Sequence, residues 1–295
     1  QKMRLNILNY FMKSSHLKSV TIDNNCFEYF RNELNDVKTV ETLTLSNVFK
    51  EGSPIEKAVN KFTNPNISLH IHFRGFRLEN KIDDLPPKLK PKLISFKTHL
   101  WGPKRCLDIS WDMFPNLQYL NINSCVKLNF SGYHYNLKDI QMEANKNTCI
   151  IMKILHNHVP NIVNVTIYRE SLLDVCDDMI DWSFLNDNGF TKLKTIKCDM
   201  TIKESLLFFD ALCQTNKIIN GLTVIDIQEQ NMKDPNKDEI MKQIPNIIKG
   251  VGNILKMKPI SLQEIRYKRN WSESVIEITE SLSSSNDDSY WKLYK

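Results

Sequence analysis

Apolar residues recur along this chain in one short spacing rather than in long stripes. Leu117, Leu120 and Ile122 form the pattern L-x-x-L-x-L and are followed by Cys125; Leu137, Ile140 and Met142 repeat it and are followed by Asn145. The same spacing returns at Leu17, Val20 and Ile22 (leading to Asn25) and at Val40, Leu43 and Leu45. It continues at Ile162, Val165 and Ile167, at Leu193, Ile196 and Cys198, and at Leu222, Ile225 and Ile227. A late copy holds Leu262, Ile265 and Tyr267 and leads to Asn270; Leu93, Phe96 and Thr98 form a degenerate one, and Leu69 and Ile71 mark another. Copies that begin at 93, 117, 137, 162, 193 and 222 recur at intervals typical of solenoid repeats, and the longer step to 262 holds an insertion.

The L-x-L core of each copy alternates with period two, which predicts a short strand with apolar residues on one face and polar residues on the other. Between strands, the helical period predicts a helix from Thr148 to Asn157, carrying Ile150, Ile151, Ile154 and Leu155. A second is predicted from Thr201 to Asn216, carrying Leu206, Leu207, Phe209, Ala211 and Leu212, with Glu204 in its opening turn. Pro115-Asn116-Leu117 and Pro160-Asn161-Ile162 return the chain to the strand, because proline ends a helix and fixes the turn. No copy can bury its apolar strip alone, so neighbours must stack. The expected fold is therefore an α/β solenoid. It has a curved parallel sheet on the concave face, with helices and irregular turns on the convex face. About ten irregular repeats span residues 1–270, and 271–295 form a C-terminal cap or flexible tail. Asn25, Cys125 and Asn145 are expected to bond the backbone of an adjacent turn.

Composition sharpens this picture by exclusion. Leu, Ile, Val and Phe make up about 30% of the 295 residues, above the range of disordered chains. No run of apolar residues is long enough to span a bilayer. The eight glycines form neither a dinucleotide-binding nor a P-loop motif, and no metalloprotease, nucleophile-elbow or calcium-loop pattern occurs. The reading is therefore not an enzyme and needs no cofactor. Alanine occurs three times while asparagine and lysine abound, a skew of codon usage and not of function. The seven cysteines are odd in number and lack C-x-x-C spacing, so reduced thiols in a cytoplasmic or nuclear protein are expected. Sequons at Asn66, Asn129, Asn164 and Asn270 are those expected by chance in an asparagine-rich chain.

On the quoted L-x-x-L-x-L-x-x-[NC] segments and Pro-Asn-Leu turns, the chain resembles the leucine-rich-repeat family, and among its members the repeat region of fungal F-box proteins. That resemblance implies a substrate-receptor arm of an SCF-type ubiquitin ligase. It also implies a Skp-type adaptor as partner, through an F-box expected upstream of Gln1. The lone Leu85-Pro86 runs into a proline-rich stretch that cannot form the F-box helix. The alternative function is a scaffold subunit of a nuclear multiprotein assembly, for which DNA contact through the Lys88–Arg105 loop is an option and not the favoured one. A weaker one is a small-GTPase regulator, by analogy with another branch of the family.

The repeat register assigns the residues between the leucines to the concave face. One column runs Ser19, Thr42, Ser95, Tyr119, Asp139, Asn164, Thr195, Val224 and Glu264. The next runs Thr21, Thr44, Lys97, Asn121, Gln141, Thr166, Lys197, Asp226 and Arg266. The third runs Asp23, Ser46, His99, Asn123, Glu143, Tyr168, Asp199, Gln228 and Lys268, with His70 and His72 on the degenerate strand. Mixed charge and scattered aromatics suit a protein interface better than a nucleic-acid groove. Tyr119, Tyr168, Lys197, Arg266, Lys268 and Glu143 are the candidate partner-binding residues. Lys88, Lys90, Lys92, Lys104 and Arg105 form a basic, proline-rich loop for a phosphate or an acidic partner. His70 and His72 share a strand face and His99 belongs to the next strand, but no fourth ligand is fixed beside them, so they read as polar surface residues and not as a metal site. His156 and His158 are two apart on a helix and face different ways.

Overall fold

The computed structural model describes residues 10, 15–23, 36–46, 61–72, 76–77, 87–101, 106–110, 112–123, 127–144, 147–168, 182, 192–200, 202–214, 224–229, 264–270, 275–281 and 291–294. The described residues form a parallel β-solenoid with few helices, and the chain divides into two compact units, Gln1–Leu137 and Lys138–Lys295.

The first unit contains β1 (Ser19–Asp23), β2 (Thr42–Ser46), β3 (Ser68–His72), β4 (Phe76–Arg77), β5 (Leu93–Trp101), β6 (Cys106–Ser110), β7 (Tyr119–Asn123) and β8 (Lys127–Ser131). Strands β1, β2, β3, β5 and β7 lie side by side in chain order, all parallel. Alternation decides which face is buried: along β2 and β3 every second residue is interior. Ile22, Leu43, Leu45, Leu69, Ile71, Phe96, Leu120 and Ile122 line that interior and are nearly inaccessible. Their burial is the main stabilising term of the unit.

The path outside the main sheet differs from expectation in two repeats. In place of a helix or irregular turn, β6 and β8 form a second parallel pair, with Leu107 opposite Leu128 and Ile109 opposite Phe130. Ile109, Leu128 and Phe130 are buried. The cause is local: Leu107-Asp-Ile109 and Leu128-Asn-Phe130 carry period two, and the turns at 117 and 137 follow too soon for a helix of useful length. Gly132 then turns the chain with φ 74°, in the left-handed region that a Cβ disfavours.

The second unit contains β9 (Asp139–Glu143), α1 (Thr148–His158), β10 (Asn164–Tyr168), β11 (Thr195–Met200), α2 (Ile202–Gln214), β12 (Val224–Glu229), β13 (Glu264–Asn270), β14 (Val275–Ser281) and β15 (Trp291–Tyr294). Strands β9 to β13 run parallel in chain order. Antiparallel β14 pairs with β13, and β15 pairs with β14.

Both helices form where the period predicts, but their buried faces are rotated from the expected ones. α1 buries Thr148, Cys149, Ile151, Met152 and Leu155, whereas Ile150 is 57% exposed. α2 buries Ser205, Phe208, Phe209 and Leu212, the i, i+3, i+4, i+7 set, and leaves Leu207 outward. Phe208 meets Trp182 edge to face at 4.7 Å, which makes it an anchor of this unit's core. Cys149 and Cys198 are buried thiols.

Candidate recognition surface

The sheet presents its polar face in register lines, because parallel strands in chain order set equivalent residues about 4.8 Å apart. In the second unit these lines coincide with the columns drawn from the repeat. Asp139, Asn164, Thr195, Val224 and Glu264 form one; Gln141, Thr166, Lys197, Asp226 and Arg266 form the next. Glu143 is opposite Tyr168, and Asp199, Gln228 and Lys268 are in register with one another. Asn164 Nδ2 donates to Asp139 Oδ1 between adjacent rungs.

In the first unit the lines step sideways. Leu69 is opposite Leu93, yet His70 is opposite Ser95, so Ile94 is an extra residue in β5. Ser95 and Tyr119 thereby fall in line with Thr21, Thr44 and His70, not with Ser19 and Thr42. Lys97 and Asn121 fall in line with Asp23, Ser46 and His72. His99 is consequently one rung position beyond His72, whose neighbour on β5 is Lys97. An ammonium beside an imidazole opposes a metal cation, and among the described residues no three His, Cys, Asp or Glu side chains gather as ligands.

This stretch encloses two polar side chains of the face. Ser95 is buried, and Asn121 is 1% exposed while its Nδ2 donates to Tyr119 Oη at 3.3 Å. Burial also holds the His70 imidazole below the ordinary histidine pKa, because a charge there would lose hydration.

The candidate partner-binding residues divide between the units. Tyr119 is on β7, half-buried, with its hydroxyl engaged by Asn121. Glu143 on β9, Tyr168 on β10 and Lys197 on β11 belong to the second unit; the first two are half-buried neighbours and Lys197 is exposed. Arg266 and Lys268 are placed on β13, with Asp226 at the register position between Lys197 and Arg266. Of the basic loop, Lys88 is exposed and Lys90 and Lys92 are half-exposed around a single 3-10 turn. Lys104 and Arg105 lie outside the described residues, as do Asn25, Cys125 and Asn145.

A set of turn-linking side chains is not marked by the repeat pattern. Asn116 Nδ2 donates to the Pro91 carbonyl at 2.7 Å, and Asn136 Nδ2 donates to the Pro115 carbonyl at 2.8 Å. Each asparagine immediately precedes the first leucine of its repeat and clips its turn to the turn before. Asn64 does a related job by donating to the Val40 carbonyl at 2.9 Å. Backbone bonds run alongside, from Gln118 N to Ile94 O and from Ser68 N to Glu41 O. The signal in the sequence is Pro115-Asn116-Leu117, a spacing that marks the turn and leaves the partner of the asparagine amide undefined.

No protein-family model matches the chain, and no curated protein sequence matches it either. Among the described residues, no helix is long and apolar enough to cross a membrane.

Proposed function

We propose that the chain is a protein-recognition module of the leucine-rich-repeat type, serving as the substrate-receptor arm of an SCF-type ubiquitin ligase. The observation that carries the recognition reading is the register of the sheet. Parallel rungs spend their apolar residues on the interior and leave every other side chain to form an ordered polar face. That face mixes acids, bases, amides and tyrosines, with Lys197, Asp226 and Arg266 alternating in charge at consecutive register positions. Such a composition suits selective contact with a folded protein surface, where aromatic and arginine anchors dominate the energy. The ligase assignment draws on the resemblance of the repeat segments to fungal F-box proteins.

Affinity capture from a native extract with mass spectrometry tests both levels. Recovery of a Skp-type adaptor with the full gene product supports the ligase arm; stable partners without it assign the module to another assembly. Alanine at Tyr119, Tyr168, Lys197 and Arg266 together is expected to abolish partner capture. Unchanged capture by that variant rejects the polar sheet face as the recognition surface.

A further inference from the structure

The turns along one edge of the first unit carry a feature that the polar sheet face does not use. Tyr133 and Tyr135 are 57% and 53% exposed, and their rings are paired at a centroid distance of 6.0 Å. Between them His134 is fully buried, with its ring edge-on to Phe130 at 4.7 Å. The alternation out, in, out therefore holds two tyrosines at the surface on a segment anchored from within. Gly132 sets the bend before them, and the Asn136 amide fixes the turn after them to Pro115.

The same chain of clips brings lysines to this edge. Asn136 bonds the turn of Pro115, and Asn116 bonds the turn of Pro91, so the tyrosine turn and the turn carrying Lys88, Lys90 and Lys92 are two steps apart on one stacked edge. Two steps between strands span about 10 Å. Lys90 Nζ reaches Met113 Sδ on the middle turn at 3.3 Å, which draws that lysine toward the tyrosines. Among the described residues, no carboxylate forms an ion pair with any of these three lysines.

We propose that this edge, formed by Lys88, Lys90, Lys92, Tyr133 and Tyr135, binds an acidic peptide segment of a protein partner. The proposal rests on the recognition reading but uses a different surface from the sheet face. Three ammonium groups around one turn match a run of carboxylates, and two exposed phenol rings offer apolar area for a flanking proline or aromatic side chain. A nucleic-acid strand fits less well, because the basic patch covers a single turn and does not extend along a phosphate backbone.

Fluorescence anisotropy of the full chain tests this with a labelled peptide carrying glutamate blocks on either side of a proline–tryptophan centre. The glutamine-for-glutamate version and labelled oligothymidylate serve as comparison probes. The acidic peptide is expected to bind at least roughly tenfold more tightly than the glutamine version, and to weaken as salt is raised. Lys88→Ala/Lys90→Ala/Lys92→Ala is expected to cost roughly tenfold in affinity, and Tyr133→Ser/Tyr135→Ser a similar factor. Circular dichroism establishes that each variant retains its strands, which is expected because all five side chains reach the surface. The sheet-face variant is expected to bind the peptide normally, so failure of one surface is distinguishable from failure of the other. Equal binding of acidic and neutral peptides, indifference to both edge variants, or tighter binding of oligothymidylate overturns the proposal.

Discussion

The asparagine clips give the sharpest test of how the turns are joined. Asn136→Ala removes a donor from the Pro115 carbonyl and leaves solvent to replace it. A hydrogen bond of this kind contributes about 0.5–1.5 kcal/mol net, and the solvent-facing position of Asn136 places the loss toward the lower end. Asn136→Asp is more informative because it keeps the shape and removes the N–H. A carboxylate oxygen would then face the lone pairs of a carbonyl across 2.8 Å. Both variants lose the bond, so the new repulsion alone should cost the aspartate variant about 1 kcal/mol more than the alanine one. Asn116→Ala, which breaks the bond to Pro91 O, should behave like Asn136→Ala, and the double variant should cost about 1–2 kcal/mol. With a urea slope of about 1–3 kcal/mol/M, such losses move the unfolding midpoint by several tenths molar, which far-ultraviolet circular dichroism resolves. If Asn136→Asp unfolds at the same urea concentration as Asn136→Ala, the side chain does not present its N–H to Pro115, and the clip is not a cross-link.

Three further outcomes follow from single positions. Leu120, inaccessible on β7 and opposite Phe96, should lose about 2–5 kcal/mol on replacement by alanine, whereas exposed Gln118→Ala should stay within about 0.5 kcal/mol in the same urea titration. Gly132→Ala should cost about 1 kcal/mol, since φ 74° strains any residue with a Cβ; a neutral result would mean that the turn relaxes to negative φ. The lowered pKa of His70 means that the unfolded chain binds its proton first as pH falls. Its contribution to stability is therefore complete above the ordinary histidine pKa of 6.5 and is lost progressively below it, toward the lower folded pKa. Midpoints measured for wild type and His70→Gln across that window should converge as the buffer is acidified, and parallel curves would show that His70 is solvated.

The strand positions were readable because burial imposes them. A residue with no accessible surface on a five-residue strand, such as Leu43 or Ile71, must be apolar, and the period of two then locates the strand. The helical segments were readable for the same reason, but their rotation was not. Ile150 is as hydrophobic as Ile151, and only the spacing to Met152 and Leu155 shows which side is covered. Phe208 was passed over in favour of Leu207 by the same omission, although Ser205, Phe209 and Leu212 complete its face. The second parallel pair was hidden because Leu107 with Ile109, and Leu128 with Phe130, offer only two apolar positions each, too few to separate a strand from a turn. On the surface, the lysines were visible as a charge run. The tyrosine pair was not, since its exposure depends on the intervening His134 being buried against Phe130.

The extra residue at Ile94 shows why the polar face is harder to read than the interior. The first leucine of a repeat can be followed by two residues, as in Leu93-Ile-Ser-Phe96, or by one, as in Ile67-Ser-Leu69. The interior tolerates both, because Leu69 still meets Leu93 and Ile71 still meets Phe96. The outer face does not absorb the difference so quietly: one inserted residue brings His70 beside Ser95 and Lys97 beside His72, and moves Tyr119 onto the line of Thr44. Core packing thus constrains the spacing only modulo the bulge, while the identity of neighbours on the recognition face depends on where each bulge falls. Repeats with closely similar interiors can therefore display different surfaces, and specificity can change through the spacing between leucines without any change in the leucines themselves.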